Sequence, residues 1–296
     1  RFGKSAGFIS ASSTVEEQYL FQKWLREINI NNIDHRVSQC KFNYEEYDFF
    51  PKLDIPIKEI ENTKSILLLD SDITNQQPIL SHKIRKAFLN NAKINSISSY
   101  KYKYNFDTNN SLLINPNILV ETLIDIIEYL SVVTVSDKTL KSFDIPEDIK
   151  KNFKGLTNKN IIEISNDLLI QDSLVILGSN LKNHPEFQLL KILVNIISVL
   201  TKSNKGYLSA NCNEAGAWIT GCLPNKLEGM IDSKHTGLNV SESIKENLDT
   251  YILYNLELID FYNNSELKSS LENAEFVLGI QSYITEEEMN YYDVIL

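Results

Sequence analysis

The sequence predicts an α/β protein built on doubly wound, mostly parallel sheets with helices on both faces. Three observations predict it. Short runs rich in β-branched and aliphatic residues alternate with longer stretches of helical period. Leu174 to Leu177 is apolar throughout, as a strand buried on both faces must be. The strand–helix–strand order persists over 296 residues, enough for one large or two ordinary α/β domains.

The elements follow in order. Gly7 to Ser10 is the first strand. The next helix opens at Ser13-Thr14-Val15-Glu16, an S-x-x-E capping box. Leu20, Phe21, Trp24, Leu25 and Ile28 recur there at helical spacing, so Leu20, Trp24 and Ile28 are expected on the core face. Ser65 to Leu69 is a strand. A helix starts at Pro78, where proline suits the first turn, and carries Ile79, Leu80, Ile84 and Ala87 to Leu89. Lys93 to Ile97 reads as strand, Tyr100 to Ser111 as loop and Asn117 to Leu130 as helix. Ser136 to Asn160 is charged, holds Pro146 and Gly155, and is the linker candidate. Leu174 to Leu177 ends in Gly178-Ser179-Asn180, a strand-to-helix turn. A helix from Pro185 to Leu200 and a strand at Gly206 to Ser209 follow. Tyr251 to Leu256, Phe276 to Ile280 and Val294 to Leu296 are strands, with a helix at Ser265 to Asn273.

Composition narrows the function. The chain is 43% hydrophobic and carries a net charge of −10, which argues against a nucleic-acid partner. Cys40, Cys212 and Cys222 are too few and too scattered for a disulfide framework. There is no CxxC pair and no HExxH, so no metal site is spelled out. The longest apolar run, Leu189 to Leu200, is too short to span a bilayer, and no direct membrane insertion is expected. Arg1 in place of Met and the strand-like Asp293-Val294-Ile295-Leu296 make both ends read as truncations.

Several segments carry a family resemblance. Phe8 to Leu20, running on to Asn31-Asn32-Ile33-Asp34-His35-Arg36, resembles a stretch shared across the molybdopterin oxidoreductase superfamily. His35 to Phe42 and the segment Ile55 to Arg85 are similar to its complex I branch, the large iron–sulfur subunit of NADH-quinone oxidoreductase. Asn211-Cys212-Asn213-Glu214-Ala215-Gly216-Ala217 with Thr220-Gly221-Cys222-Leu223-Pro224 is similar to the family's N-x-x-G-A … G-x-x-P loop. Phe276 to Leu296 resembles its closing segment. Asn29, where the family often has Gly, and Thr285-Glu286-Glu287 depart from the pattern.

The resemblance implies two doubly wound lobes of the formate dehydrogenase/DMSO reductase type, one inserted in the other. Residues 1–36 with 161–296 would form the first lobe and residues 37–160 the inserted one. It also implies a scaffold in the peripheral arm of complex I, supporting electron transfer from NADH to quinone. Its partners would be the other peripheral-arm subunits, at the cytoplasmic face of the inner membrane. Iron–sulfur clusters need clustered cysteines, which this chain lacks, so they would lie before Arg1, and no cofactor is expected within the chain. The alternative is part of a molybdenum or tungsten bis-pterin oxidoreductase, with molybdopterin as cofactor. An unrelated nucleotide-binding protein ranks last, because no Gly-rich phosphate fingerprint occurs.

The candidate site residues are few. Asn213 and Gly216 form a loop after a strand and before a helical stretch. There glycine lets the backbone approach closely and the helix start offers N–H groups to an anion. The loop is either a vestigial pterin cradle or a tight packing turn. Cys40 lies where formate dehydrogenases place their metal-ligating cysteine or selenocysteine, but Lys41 follows it where those enzymes have histidine. Arg36 and Lys41 would lower its thiol pKa if they stood near it. His35 beside Asp34 is expected to fix a turn, His184-Pro185 a helix entry, and Glu286-Glu287-Glu288 a solvated helix start. No catalytic residue is assigned.

Overall fold

The computed structural model describes residues 4–43, 50–134 and 158–296. In chain order the first elements are β1 (Ser5–Ile9), α1 (Val15–Glu27), β2 (Asn32–Asp34), β3 (Ser65–Leu69), α2 (Ile73–Gln76), α3 (Pro78–Leu89), β4 (Lys93–Ser98), β5 (Asn110–Leu113) and α4 (Leu119–Val133). Then come α5 (Lys159–Leu168), β6 (Ser173–Leu177), α6 (Phe187–Thr201), β7 (Asn204–Tyr207), α7 (Glu214–Thr220) and α8 (Val240–Lys245). The last are β8 (Thr250–Tyr254), α9 (Asn264–Glu272), β9 (Phe276–Ile280) and β10 (Val294–Ile295).

The chain divides into two compact units. Unit 1 joins Arg1–Phe42 with Asn211–Leu296, and unit 2 is Asn43–Ala210. The return to the first unit therefore falls at Asn211, not at Ile161. The reason is strand pairing. β6 lies in parallel register beside β3, Ser65 opposite Ser173 through Leu69 opposite Leu177, and β7 pairs with β6. These strands complete the second sheet, so α5 to β7 belong with it. The first crossing falls after Phe42 rather than after Arg36.

Unit 1 holds a sheet of order β10-β9-β8-β1-β2 and unit 2 one of order β5-β4-β3-β6-β7. Every strand pairing in both is parallel. In each, the chain winds outward from one strand and then restarts on its other side, so the order reverses once, between β1 and β8 and between β3 and β6.

Side chains alternate across each sheet. In unit 2, Leu67, Leu69, Val175 and Leu177 pack with α4, α5 and α6 on one face. Ile66, Leu68, Leu174 and Ile176 pack with α3 on the other. In unit 1, Ala6, Phe8, Tyr251 and Leu253 meet α8 and α9, while Ile9, Ile33 and Ile252 meet Phe21 and Leu25 of α1. Each Val, Leu, Ile or Phe side chain so enclosed contributes about 1.5–3 kcal/mol of transfer free energy.

Several local expectations shift. The capping box on α1 is one residue later. Thr14 is the N-cap, its hydroxyl accepting from Glu17 N at 3.3 Å while Glu17 accepts from Thr14 N at 2.7 Å. The buried stripe of α1 is Gln18, Phe21, Gln22 and Leu25. Leu20 and Trp24 lie outside it, 63% and 40% exposed, because β1 and α7 pack on the 18–21–22–25 face. Asn110 and Ser111, expected in a loop, start β5 because they pair with β4. Of the linker candidate, residues 136–157 lie outside the described residues; Asn158 caps α5, its side chain accepting from Asn160 N. Among the described residues no helix is long and apolar enough to cross a membrane.

Candidate functional site

Doubly wound sheets take ligands outside the carboxyl ends of the strands, where the strand order reverses. Each unit has such a place, and each is built here from the chain's own polar groups.

In unit 1 the turn after β1, Ser10 to Ser13, is anchored by Ser10 N on Tyr254 O at 3.0 Å. Residues 211–213 and the first turn of α7 fold onto this turn, so Asn213 stands at the N-cap of α7 and Gly216, expected in a loop, lies within the helix. Asn213 N donates to Ala11 O at 3.0 Å, and its side-chain Nδ2 donates to Ser13 O at 2.7 Å and to Gln18 Oε1 at 3.2 Å. Gln18 Nε2 in turn reaches Ser10 O and Asn213 O, both at 3.4 Å. Gly216 is required for this packing. A Cβ there would stand 2.2 Å from Asn213 Oδ1. The space beside the glycine thus holds the chain's own carboxamide, and the Asn213 amide is committed to Ser13 and Gln18 of the β1–α1 segment. These residues do not fit a cradle for a pyranopterin.

The following turn is pinned from α1. Arg26 Nη2 donates to the carbonyls of Gly221, Leu223 and Lys226 at 2.9–3.2 Å. Beneath it Asp34, His35 and Arg36 are buried together, an ion pair and a neutral ring where the sequence predicts only a turn. Asp34, at the end of β2, accepts from Arg36 Nε and Nη2 and from the backbone of His35 and Arg36. Burial alone would raise the Asp34 carboxyl, but the Arg36 charge and hydrogen bonds overrule it and hold it below the usual carboxylate range. His35 Nδ1 stands 2.8 Å from Cys222 O, which makes it the protonated nitrogen. Its Nε2 is buried with no partner. Burial pushes the imidazole down to about 4, against the opposing charges of Asp34 and Glu214, so the ring is neutral. The Cys222 thiol is pushed up to about 12 by burial, which makes it inert.

Cys40 is half-buried, and its thiol beside Tyr262 raises that phenol's pKa. Arg36 is bound to Asp34 and lies over the Phe42 ring at 4.7 Å, so its charge is spent there. Among the described residues no group of three or more His, Cys, Asp and Glu could hold a metal ion. Glu288 is not a solvated helix start. It is 8% exposed and accepts from Leu258 N at 2.7 Å and from Thr285. His184 does serve the entry to α6, its Nδ1 accepting from Glu186 N at 3.0 Å.

In unit 2 the order reverses between β3 and β6, and the turn after β3 is Asp70-Ser71-Asp72. Sequence reading passed over it, although acidic residues directly after an apolar strand were the available signal. Asp70 adopts the left-handed region at φ 42. Its carboxylate accepts from Ser99 N at 3.2 Å, from Ser99 Oγ at 2.9 and 2.8 Å, and from Tyr102 Oη at 2.9 Å. The bonds continue outward: Asn180 Nδ2 donates to Tyr102 Oη at 3.0 Å, Gln76 Nε2 to Asn180 Oδ1 at 2.8 Å, and Ser179 Oγ to Gln76 Oε1 at 2.6 Å. Gly178 lets the ends of β3 and β6 abut, since a Cβ there would meet Asp70 O at 2.2 Å. A separate apolar cleft of ≈ 440 Å³, with Leu53, Pro78, Leu80 and Leu208 in its walls, opens at the start of α3.

Two all-parallel sheets in one chain, each reversing its strand order once, define a doubly wound α/β protein. The comparisons make this specific. The model of the family described as molybdopterin oxidoreductase matches residues 3–296, and the chain belongs to that family. Among solved structures it is similar to the formyltransferase/hydrolase complex of Methylorubrum extorquens, with TM-score 0.61 and 10% identity over 99% of this chain and 78% of that one. It is also similar to acetylene hydratase from Pelobacter acetylenicus, with TM-score 0.61 and 8% identity, spanning 49% of that chain's length. The fold is that of the molybdopterin oxidoreductases. No curated protein sequence matches the chain.

Proposed function

We propose that this chain is a scaffold region of the large iron–sulfur subunit of NADH-quinone oxidoreductase, respiratory complex I. Its role is structural, in the peripheral arm at the cytoplasmic face of the inner membrane, against the other peripheral-arm subunits. The electron-transferring clusters belong elsewhere in the parent subunit. The family match over residues 3–296 supports the superfamily part of this reading. The complex I part rests on the likeness of His35 to Phe42 and Ile55 to Arg85. The observation that carries the scaffold role is the Asn213 carboxamide lodged against Gly216. A helix start that spends its glycine and its N-cap amide on internal packing serves rigidity rather than ligand binding.

The competing reading is a molybdenum or tungsten bis-pterin oxidoreductase, favoured by the half-buried Cys40 thiol. Metal analysis of the purified full-length parent protein separates the two. Iron with acid-labile sulfide and no molybdenum or tungsten is the expected result. Stoichiometric molybdenum or tungsten with an extractable pterin overturns the scaffold.

A further inference from the structure

The switch point of unit 2 is where a doubly wound sheet meets the phosphate of a nucleotide-like ligand. Recognition of that kind needs backbone N–H groups from a glycine-rich turn, together with free hydroxyl donors and a neutral or positive surround. The turn after β3 supplies the opposite. It carries Asp70 and Asp72, and the Asp72 carboxylate is itself engaged by Asn75 Nδ2 at 3.0 Å.

We propose that Asp70 is an internal anion, its carboxylate filling the strand-end crevice of unit 2 and excluding phosphate-bearing ligands. Three observations carry it. The donors a phosphate would use, Ser99 N, Ser99 Oγ and Tyr102 Oη, all point at Asp70. The loops that would move apart around a ligand are tied together through Ser179, Gln76, Asn180 and Tyr102. The ends of β3 and β6 touch at Gly178, with Gly178 N donating to Leu69 O at 2.8 Å. A left-handed backbone at a non-glycine residue is a costly conformation held only where its surroundings impose it. Here it aims the Asp70 carboxylate at the hydroxyls of Ser99 and Tyr102. Burial pushes the Tyr102 phenol up to about 12, with the Asp70 charge adding to the effect, so the hydroxyl remains a donor at all ordinary pH.

The proposal deepens the scaffold reading, and the two fail separately. The probe is inorganic pyrophosphate, titrated into the full chain by calorimetry against sulfate of matched ionic strength. Wild type is expected to show no saturable binding. Asp70→Asn, which removes the charge and keeps the shape, is expected to bind at least about tenfold more tightly. Saturable binding by wild type overturns the proposal, as does an Asp70→Asn chain that folds and gains nothing. If Asp70→Asn does not fold, Tyr102→Phe serves, because it keeps the carboxylate. It should refuse pyrophosphate as wild type does, and saturable binding by it overturns the proposal. A molybdenum-free parent whose wild-type chain binds pyrophosphate would sink this inference and leave the scaffold standing.

Discussion

Asp34 and Arg36, two residues apart, form a buried bidentate pair. Nε donates to Oδ1 and Nη2 to Oδ2, each at 2.9 Å, with both side chains almost wholly enclosed. The fork-to-fork geometry and the added backbone donors offset a large desolvation cost. Removing one partner leaves a buried charge or a set of orphaned donors. Asp34→Ala is expected to cost about 3–5 kcal/mol of unfolding free energy. Urea denaturation measures it, and a loss no larger than that of a surface substitution would disprove the pair's role.

His35 gives the chain a pH dependence of defined sign. Its pKa is near 6.5 unfolded and about 4 folded. Protonation therefore favours the unfolded chain. Stability from this group is complete above about pH 6.5 and declines as pH falls toward 4, by up to roughly 3 kcal/mol. In His35→Gln, which still offers Cys222 O a donor, the slope across that window should flatten. Unfolding titrations at pH 7 and pH 4.5 on both chains check it.

Gly216 and Asn213 should be energetically coupled. Gly216→Ala places a methyl group onto Asn213 Oδ1 and is expected to cost about 1–3 kcal/mol. Asn213→Ala alone loses the bonds to Ser13 and Gln18, about 1–3 kcal/mol. The double variant should be no less stable than Asn213→Ala, because the clash is gone. Simple additivity in this double-mutant cycle would show that the glycine is needed for something else.

Thr14, not Ser13, caps α1. Thr14→Ala should lower stability by about 1 kcal/mol. Ser13→Ala should cost less, since the Ser13 hydroxyl is buried without a partner. Thermal melts of the two variants decide the register, and the reverse ranking would contradict it.

Much of the fold was legible because its signals are local. Strands buried on both faces must be apolar for several residues running, and Ser65 to Leu69 and Leu174 to Leu177 are found as β3 and most of β6. Periodicity placed α1 but not its inward face, because two apolar stripes compete on it and only contact with β1 and α7 chooses Phe21 and Leu25 over Leu20 and Trp24. Glu288 read as solvated for a similar reason: the Leu258 amide it caps is thirty residues away in sequence.

By itself the sequence determined the fold class, the run of strands and helices, and the motifs that carry the family likeness. All of these rest on periodicity and residue order within short windows. Only the tertiary structure decided where the two units divide, since β6 and β7 join β3 by parallel pairing between distant segments. It alone showed that Asn213 fills the space at Gly216 and that Asp70 gathers Ser99 and Tyr102. Such contacts depend on where side chains from separate loops converge, and spacing along a chain does not encode that.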